Sequence, residues 1–158
     1  MIFVVTGSQK FPFDRLIRAM DELMGAGTIN EEVFAQIGAA TYEPKHFPWK
    51  RFLDKKDFDE AIGRCDVLVT HAGEGSIMTG LLKGKRVIAV PRYQRYSEHL
   101  NDHQLQIARA LEKQRCILNV EDIGNLGDAI GKIRQVSLAP YVRGNDSIIE
   151  LLRNFIGD

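Results

Sequence analysis

A short apolar run in the middle of the chain ends in a segment rich in glycine. The run Val67-Leu-Val-Thr70 is followed by His71-Ala-Gly-Glu-Gly-Ser76, and the apolar residues after this segment have helical spacing. Glycine lets a backbone approach a ligand closely, and the free N–H groups in the first turn of a helix attract an anion. The segment therefore predicts a diphosphate site. Its predicted contacts are Gly73, Gly75, the Ser76 hydroxyl and His71 as a hydrogen-bond donor.

The same segment has a simpler interpretation, a tight turn in which Ser76 caps the helix. Other ligand motifs do not fit. Met78 stands where a dinucleotide fingerprint has its third glycine, and the chain has no Gly-Lys-Ser or Gly-Lys-Thr for a P-loop. The order of residues also differs from the Gly-x-Ser-x-Gly of hydrolases. The diphosphate site and the simple turn remain as the two interpretations.

A second polar turn follows the next apolar run along the chain. It extends from Pro91 to Gln104 and leads into a helical pattern, so its polar side chains gather at the start of another helix. Arginine side chains neutralise phosphate, a carboxylate caps a helix and an amide binds a sugar hydroxyl. The sequence assigns the first role to Arg92 and Arg95, the second to Asp102 and the third to Gln104.

Two histidines in this turn, His99 and His103, are four residues apart. Zinc sites use this spacing, and His71 is a possible third ligand. However, the glutamate of a His-Glu-x-x-His motif is absent, and His99 precedes the helical pattern. We therefore expect no metal and no cofactor, with His103 in the first turn of the helix.

A third turn, Thr6-Gly7-Ser8, follows the first apolar run and precedes Phe11-Pro-Phe13. Gly7 permits the backbone to approach a ligand at the same edge of the predicted sheet. The aromatic segment has two interpretations. Phe13 packs at the start of a helix, or an exposed Phe11 contacts another protein.

Short β-branched runs alternate with segments of helical period, which predicts a parallel sheet with helices on both faces, the doubly wound α/β class. Ligands in such folds bind beyond the carboxyl ends of the strands. The predicted strands are 2–6, 32–37, 67–70, 86–90 and 116–119. The predicted helices are 13–24, 55–64, 76–83, 101–113, 123–135 and 146–155. Residues 41–53 are predicted to form a long excursion with one strand.

Composition and length favour one globular domain over residues 1–158. Lys+Arg and Asp+Glu are equal at 21 each and are interleaved along the chain, which argues against a nucleic-acid partner. Cys65 and Cys116 border apolar runs and are expected in the core rather than in a disulfide or a zinc site. The first residues lack the basic start of a signal peptide, so we expect a cytoplasmic protein.

Taken together, three segments resemble the C-terminal domain of glycosyltransferase family 28. They are Val67-Leu-Val-Thr-His-Ala-Gly-Glu-Gly-Ser-Ile77, Lys85-Arg-Val-Ile-Ala-Val-Pro-Arg92 and Asn101-Asp-His-Gln-Leu-Gln-Ile-Ala108. More narrowly, the chain is similar to bacterial capsule and exopolysaccharide galactosyltransferase subunits. It also resembles the soluble subunit of the eukaryotic UDP-GlcNAc transferase of dolichol-linked oligosaccharide synthesis.

The resemblance implies the donor-binding, C-terminal half of a GT-B glycosyltransferase that inverts the anomeric centre. It implies that the diphosphate and sugar are held by Gly73, Glu74, Gly75 and Ser76. It also implies that Pro91 and Arg92 border uracil and that the transferred sugar is faced by Asp102, His103 and Gln104. Gly7 and Ser8 would line the near side of the site. Asp102 and His103 are the candidate catalytic bases. A base on a partner subunit is an equal alternative.

From this resemblance we expect transfer of galactose from UDP-galactose to a sugar on a polyprenyl diphosphate. A membrane-associated subunit would supply the acceptor half and recruit this chain to the inner face of the cell membrane. The alternatives are a UDP-GlcNAc transferase subunit and a non-catalytic nucleotide-binding regulatory protein. The isolated chain is a candidate for self-association through an incomplete partner face. The candidate residues of that face are Phe11, Phe13, Phe47, Trp49 and Phe52.

Overall fold

Six parallel strands form one sheet in the computed structural model, which describes residues 1–7 and 10–140. The strands are β1 Ile2–Val5, β2 Val33–Gln36, β3 Trp49–Lys50, β4 Val67–His71, β5 Arg86–Val90 and β6 Leu118–Asn119. Their spatial order is β3-β2-β1-β4-β5-β6, and each neighbouring pair is parallel. The order reverses between β1 and β4, which makes this the switch point of the sheet.

Within the described residues, five α-helices cover the two faces of the sheet. They are α1 Asp14–Gly25, α2 Lys55–Arg64, α3 Glu74–Leu82, α4 His103–Lys113 and α5 Leu126–Lys132. Short 3-10 turns occupy Gln94–Tyr96 and Ile123–Asn125. One buried cluster joins α1 and α5 to one face of the sheet, and a second joins α2, α3 and α4 to the other. The predicted doubly wound α/β class is confirmed.

The start of α2 is set by a capping side chain next to it in the sequence. The Asp54 side chain accepts a hydrogen bond from the Asp57 N–H, 2.8 Å away, and thereby caps α2 at its predicted first residue. The predicted strand within residues 41–53 is present as β3. The helix predicted at 123–135 is divided into a 3-10 turn and α5, and the helix predicted at 146–155 lies outside the described residues.

A buried carboxylate fastens the excursion before β3 to α1. Asp21 is 1% exposed, and it accepts hydrogen bonds from the Tyr42 hydroxyl at 2.6 Å, the Lys45 N–H at 3.0 Å and the His46 N–H at 2.8 Å. Its contact with His46 Nδ1 is 2.9 Å. Desolvation acts to raise the pKa of Asp21, but these hydrogen bonds outweigh it and hold the pKa below its usual value.

Both cysteines are buried and free, and burial raises the pKa of each thiol. Within the described residues, no helix combines the length and apolar character needed to cross a membrane.

Candidate functional site

The loops that follow β1 and β4 meet at the switch point of the sheet through the ring of His71. Gly7, in the loop after β1, has a φ of +86°, and a Cβ atom at this position would lie 2.8 Å from His71 Nε2. A Cβ atom at Gly73 would lie 2.0 Å from Cε1 of the same ring. The imidazole therefore fills the space that the two missing side chains leave.

This contact gives the two glycines a role that sequence reasoning missed. The sequence explains Gly7 and Gly73 by close approach of a ligand, whereas the structure shows that both also make room for His71. Gly38, after β2, is also tightly packed, since a Cβ atom there would lie 2.9 Å from the Gly7 carbonyl oxygen. The loops after three neighbouring strands are thus fixed against one another.

At Gly75 the first turn of α3 is open. Gly75 is exposed, and a Cβ atom there would meet nothing within 4 Å. The N–H groups at the start of an α-helix have no partner within the helix, so this open turn is suited to an anion. Glu74 is the first residue of the helix and is partly buried.

Of the two interpretations of the glycine segment, the one in which Ser76 caps α3 is wrong. Gly73 occupies the N-cap position without a side-chain hydrogen bond, and Ser76 is the third residue of the helix. The Ser76 hydroxyl instead lies 3.5 Å from His71 Nε2. Ser76 and His71 therefore present polar atoms at the same point, beside the open turn.

His71 is neutral at physiological pH. Loss of solvation and, to a smaller extent, the nearby Arg92 guanidinium lower the pKa of His71 to about 3. The ring can donate one hydrogen bond to an anion but contributes no positive charge. It also lacks the basicity of a general base.

Arg92 does not present its guanidinium at this edge. The residue is 1% exposed, and its Nη1 donates to the carbonyl oxygens of Phe11 at 3.3 Å and Glu98 at 3.2 Å. Its guanidinium carbon lies 5.2 Å from the centre of the Phe13 ring. Burial lowers the pKa of Arg92 to about 10. In this position the side chain joins two loops, and phosphate neutralisation by Arg92 has no geometric support.

Arg95 remains at the surface. Its guanidinium carbon lies 4.6 Å from the centre of the Tyr93 ring and 4.8 Å from that of Tyr96. Pro91 is buried, and its carbonyl oxygen accepts a hydrogen bond from Arg15 Nη2 at 2.9 Å. The predicted contact between the Pro91–Arg92 turn and uracil stays a prediction.

The start of α4 differs from the predicted cap. Asp102 is at the N-cap position, but its carboxylate accepts from the Gln94 N–H at 2.9 Å and makes no cap hydrogen bond. The His103 N–H donates to the Asn101 side chain at 3.0 Å instead. Asp102 is exposed, and His103 is partly exposed. Their assignment as candidate bases stays a prediction.

Gln104 is buried, and its amide is used within the protein. Its Oε1 accepts from the Arg92 backbone N–H at 3.2 Å, and its Nε2 lies 3.2 Å from His71 Nδ1. Among the described residues, no group of three His, Cys, Asp or Glu side chains is placed to hold a metal ion. Ser8, predicted to line the near side, lies outside the described residues.

An ion pair that the sequence did not indicate holds the Pro91–Gln104 turn on α1. Arg15 Nε and Nη2 each lie 3.0 Å from an oxygen of Glu98, and Glu98 also accepts from the Tyr93 N–H at 3.1 Å. The partners are 83 residues apart, so spacing along the chain gave no signal for them.

The aromatic residues suggested for a partner face are not equally accessible. Phe13 and Phe47 are buried, Phe11 and Trp49 are partly buried, and Phe52 is 59% exposed. Tyr96 and Leu100, which the sequence did not single out, are 50% and 72% exposed. Phe52 follows β3 and the other two follow β5, so all three lie in loops after the carboxyl ends of strands.

Comparison with known proteins places the chain in a family. Residues 1–154 match the glycosyltransferase family 28 C-terminal domain. The human UDP-N-acetylglucosamine transferase subunit ALG13 is 33% identical over 122 residues, which are 72% of this chain and 10% of that protein. The subunit of the same name from Cryptococcus neoformans is 34% identical over 93 residues, 55% of this chain and 44% of that protein.

Solved structures share the fold. An NMR structure of ALG13 matches 99% of this chain and 96% of its own, with a TM-score of 0.63 and 19% identity. The Streptomyces sp. SF2575 glycosyltransferase SsfS6, solved with thymidine diphosphate, matches 99% of this chain and 36% of its own, with a TM-score of 0.59 and 19% identity. At these identities the likeness concerns the fold alone.

Proposed function

Because the chain belongs to the glycosyltransferase family 28 C-terminal domain family, we propose that it is the donor-binding subunit of a UDP-sugar glycosyltransferase. The observation that carries the proposal is the open first turn of α3 beside the neutral His71 ring, at the switch point of the sheet. Helix N–H groups, the Ser76 hydroxyl and one imidazole N–H can hold a diphosphate there without a metal.

We propose UDP-N-acetylglucosamine as the donor. The curated relatives carry this sugar in their names, whereas nothing in the comparisons supports the expected galactose donor or a role in capsule or exopolysaccharide assembly. The chain spans only 10% of the length of the human relative and 44% of the fungal one, so the activity of those whole proteins enters here as a proposal.

The chemical role of the subunit is to bind the donor and stabilise its leaving diphosphate. An inverting transfer also needs a base beside the acceptor hydroxyl. Asp102 and His103 are at the correct edge of the sheet for that role, although one Asp102 oxygen already accepts from Gln94. A base on a partner is the alternative, and His71 is not a candidate because its low pKa makes the ring a weak base.

The proposed partner is a membrane-associated subunit that carries the acceptor half, with a polyprenyl-diphosphate-linked sugar as acceptor. The exposed Phe52, Tyr96 and Leu100 side chains, in loops after β3 and β5, support a protein contact at the rim of the site. In this arrangement a cytoplasmic chain is held at the inner face of the membrane only through its partner.

The test of activity is a transfer assay. Membranes containing a candidate acceptor subunit and a polyprenyl-diphosphate-linked acceptor are supplied with this chain and with radiolabelled UDP-GlcNAc or UDP-galactose. We expect transfer of GlcNAc only when both subunits are present. Transfer of galactose alone would replace the proposed donor, and no transfer of either sugar above single-subunit controls would overturn the two-subunit transferase.

Donor binding can be tested separately with Gly75→Val. The new side chain projects from the first turn of α3 into open space, so it should leave the fold intact and obstruct a diphosphate. We expect UDP affinity, measured by calorimetry, to fall at least about tenfold, or about 1.4 kcal/mol. Gly63→Val is the matched control, since Gly63 is an exposed glycine in α2 with nothing within 4 Å of its Cβ position. Equal UDP affinity in both variants would remove the α3 turn from the site.

A further inference from the structure

The orientation of the Gln104 amide is determined by a backbone donor. Gln104 Oε1 lies 3.2 Å from the backbone nitrogen of Arg92, at the carboxyl end of β5. A backbone N–H can only donate, so the amide atom that faces it must be the oxygen. The NH2 group of Gln104 is therefore directed to its other neighbour.

That neighbour is His71 Nδ1, 3.2 Å from Gln104 Nε2. An amide NH2 can only donate, so Nδ1 must accept and cannot carry a proton. In a neutral imidazole with an accepting Nδ1, the single proton is on Nε2. The hydrogen bonds of one glutamine thus determine the tautomer of the histidine.

The surroundings keep the ring neutral. The charged and titratable groups that act on it are Arg92, at the end of β5, and His99, in the loop that follows. Burial and the Arg92 charge lower the pKa of His71, and burial and Arg92 also lower that of His99. The remaining contacts are the Ser76 hydroxyl of α3 and the Gly7 backbone after β1.

The protonated nitrogen is at the junction of the two loops that frame the site. His71 Nε2 lies 3.5 Å from Ser76 Oγ, in the first turn of α3, and 2.8 Å from the position that a Gly7 Cβ would occupy. A phosphate oxygen only accepts hydrogen bonds, so it can use this nitrogen in the Nε2–H tautomer and not in the Nδ1–H tautomer.

We propose that Gln104 is a positioning residue, which holds His71 as the Nε2–H tautomer so that this N–H donates to the diphosphate. In this role Gln104 acts through the ring of His71. The tautomer follows from contacts within the free protein, whereas the role of the N–H in donor binding rests on the proposed function.

The tautomer can be measured directly by nitrogen NMR of protein labelled with ¹⁵N in its histidine rings. The His71 signals are identified by their loss in His71→Asn. In the free wild-type protein we expect a protonated Nε2 and an unprotonated Nδ1 throughout pH 5.5 to 8. A protonated Nδ1 in that range would overturn the proposal without recourse to any variant.

Gln104→Glu tests the positioning role. A carboxylate cannot donate, so His71 Nδ1 should become protonated, and the new negative charge should raise the pKa of the ring. Gln106→Glu is the matched control, because Gln106 is an exposed glutamine on the same helix. An unchanged His71 tautomer and pKa in a folded Gln104→Glu protein would exclude Gln104 as the residue that positions the ring.

UDP titrations of the same variants test the consequence for binding. At pH 8, Gln104→Glu should bind UDP about tenfold more weakly than Gln106→Glu, because the neutral ring now presents an unprotonated Nε2. As the pH falls and His71 becomes doubly protonated, the ratio of the two affinities should return toward one. Ionisation of UDP itself affects the affinity of both variants equally, so it does not change the ratio of the two affinities. A ratio that does not change with pH would overturn the role of Nε2–H in binding. If the wild-type protein does not bind UDP at all, the proposed function is overturned, but the measured tautomer is unaffected.

Discussion

Replacing Gly73 by alanine is expected to reduce UDP affinity by about 100-fold, or about 2.7 kcal/mol. The backbone at Gly73 has φ −80° and ψ 135°, which alanine adopts without strain. The added Cβ, however, would lie 2.0 Å from His71 Cε1, so the ring must move. Because Gly7 packs against the same ring, we expect this movement to disturb the contact of His71 with Ser76, in the first turn of α3.

The control for this prediction is Gly63→Ala. Gly63 lies in α2, where a Cβ meets nothing within 4 Å, and alanine there should stabilise the helix by up to about 1 kcal/mol without affecting UDP. Affinities are compared by calorimetry at a temperature where circular dichroism shows both proteins folded. Wild-type UDP affinity in Gly73→Ala would mean that the His71 ring is not part of the donor site.

The largest effect on stability is expected from Asp21→Asn, which should lower the free energy of unfolding by about 3 kcal/mol, and the melting temperature by about 10 °C. The buried carboxylate accepts from Tyr42, Lys45 and His46, and an amide has one oxygen in place of two. The NH2 group of the asparagine would face hydrogen-bond donors of these residues and could not accept from them. Glu22→Gln, an exposed change at the next residue of α1, should leave the melting temperature within about 2 °C of the wild type.

Acid should have a related effect on the wild-type protein. The pKa of Asp21 is lower in the folded than in the unfolded chain, so its contribution to stability is complete above the unfolded value of 3.8 and is lost as pH falls through the folded value. The difference in unfolding free energy between wild type and Asp21→Asn, measured by urea titration, should therefore decrease below pH 4 from its value at pH 5. A difference that persists unchanged to pH 2.5 would contradict this account.

Much of the fold could be predicted from the sequence because its signals are local. The bounds of α2 and β5 were predicted residue for residue, since Asp54 caps the first and an apolar β-branched run defines the second. Alternation of strands and helices indicated the parallel sheet, and with it the edge where ligands bind. The sequence therefore identifies the glycine turn after β4 as a candidate site without any information on the residues that surround it in space.

The types of the residues around that turn suggested ligand roles, whereas the structure shows that the same side chains have partners within the protein. Arg92 was assigned to phosphate and Gln104 to the sugar because such side chains suit those ligands. In the structure the first is buried between carbonyl oxygens of two loops, and the second bonds a backbone N–H and His71. Residue type indicates what a side chain can bind, but only its neighbours decide which of those partners it meets.

By itself, then, the sequence determined the class of fold, the family and the segment that forms the candidate site, because each depends on periodicity or on residues adjacent in the chain. The tertiary structure decided what His71 does. Its ring packs against both Gly7 and Gly73, and its Nδ1 accepts a hydrogen bond from Gln104, so contacts between residues as much as 64 positions apart determine its charge and its tautomer. Such contacts arise only when the sheet brings the ends of β1, β4 and β5 together, which no local pattern records.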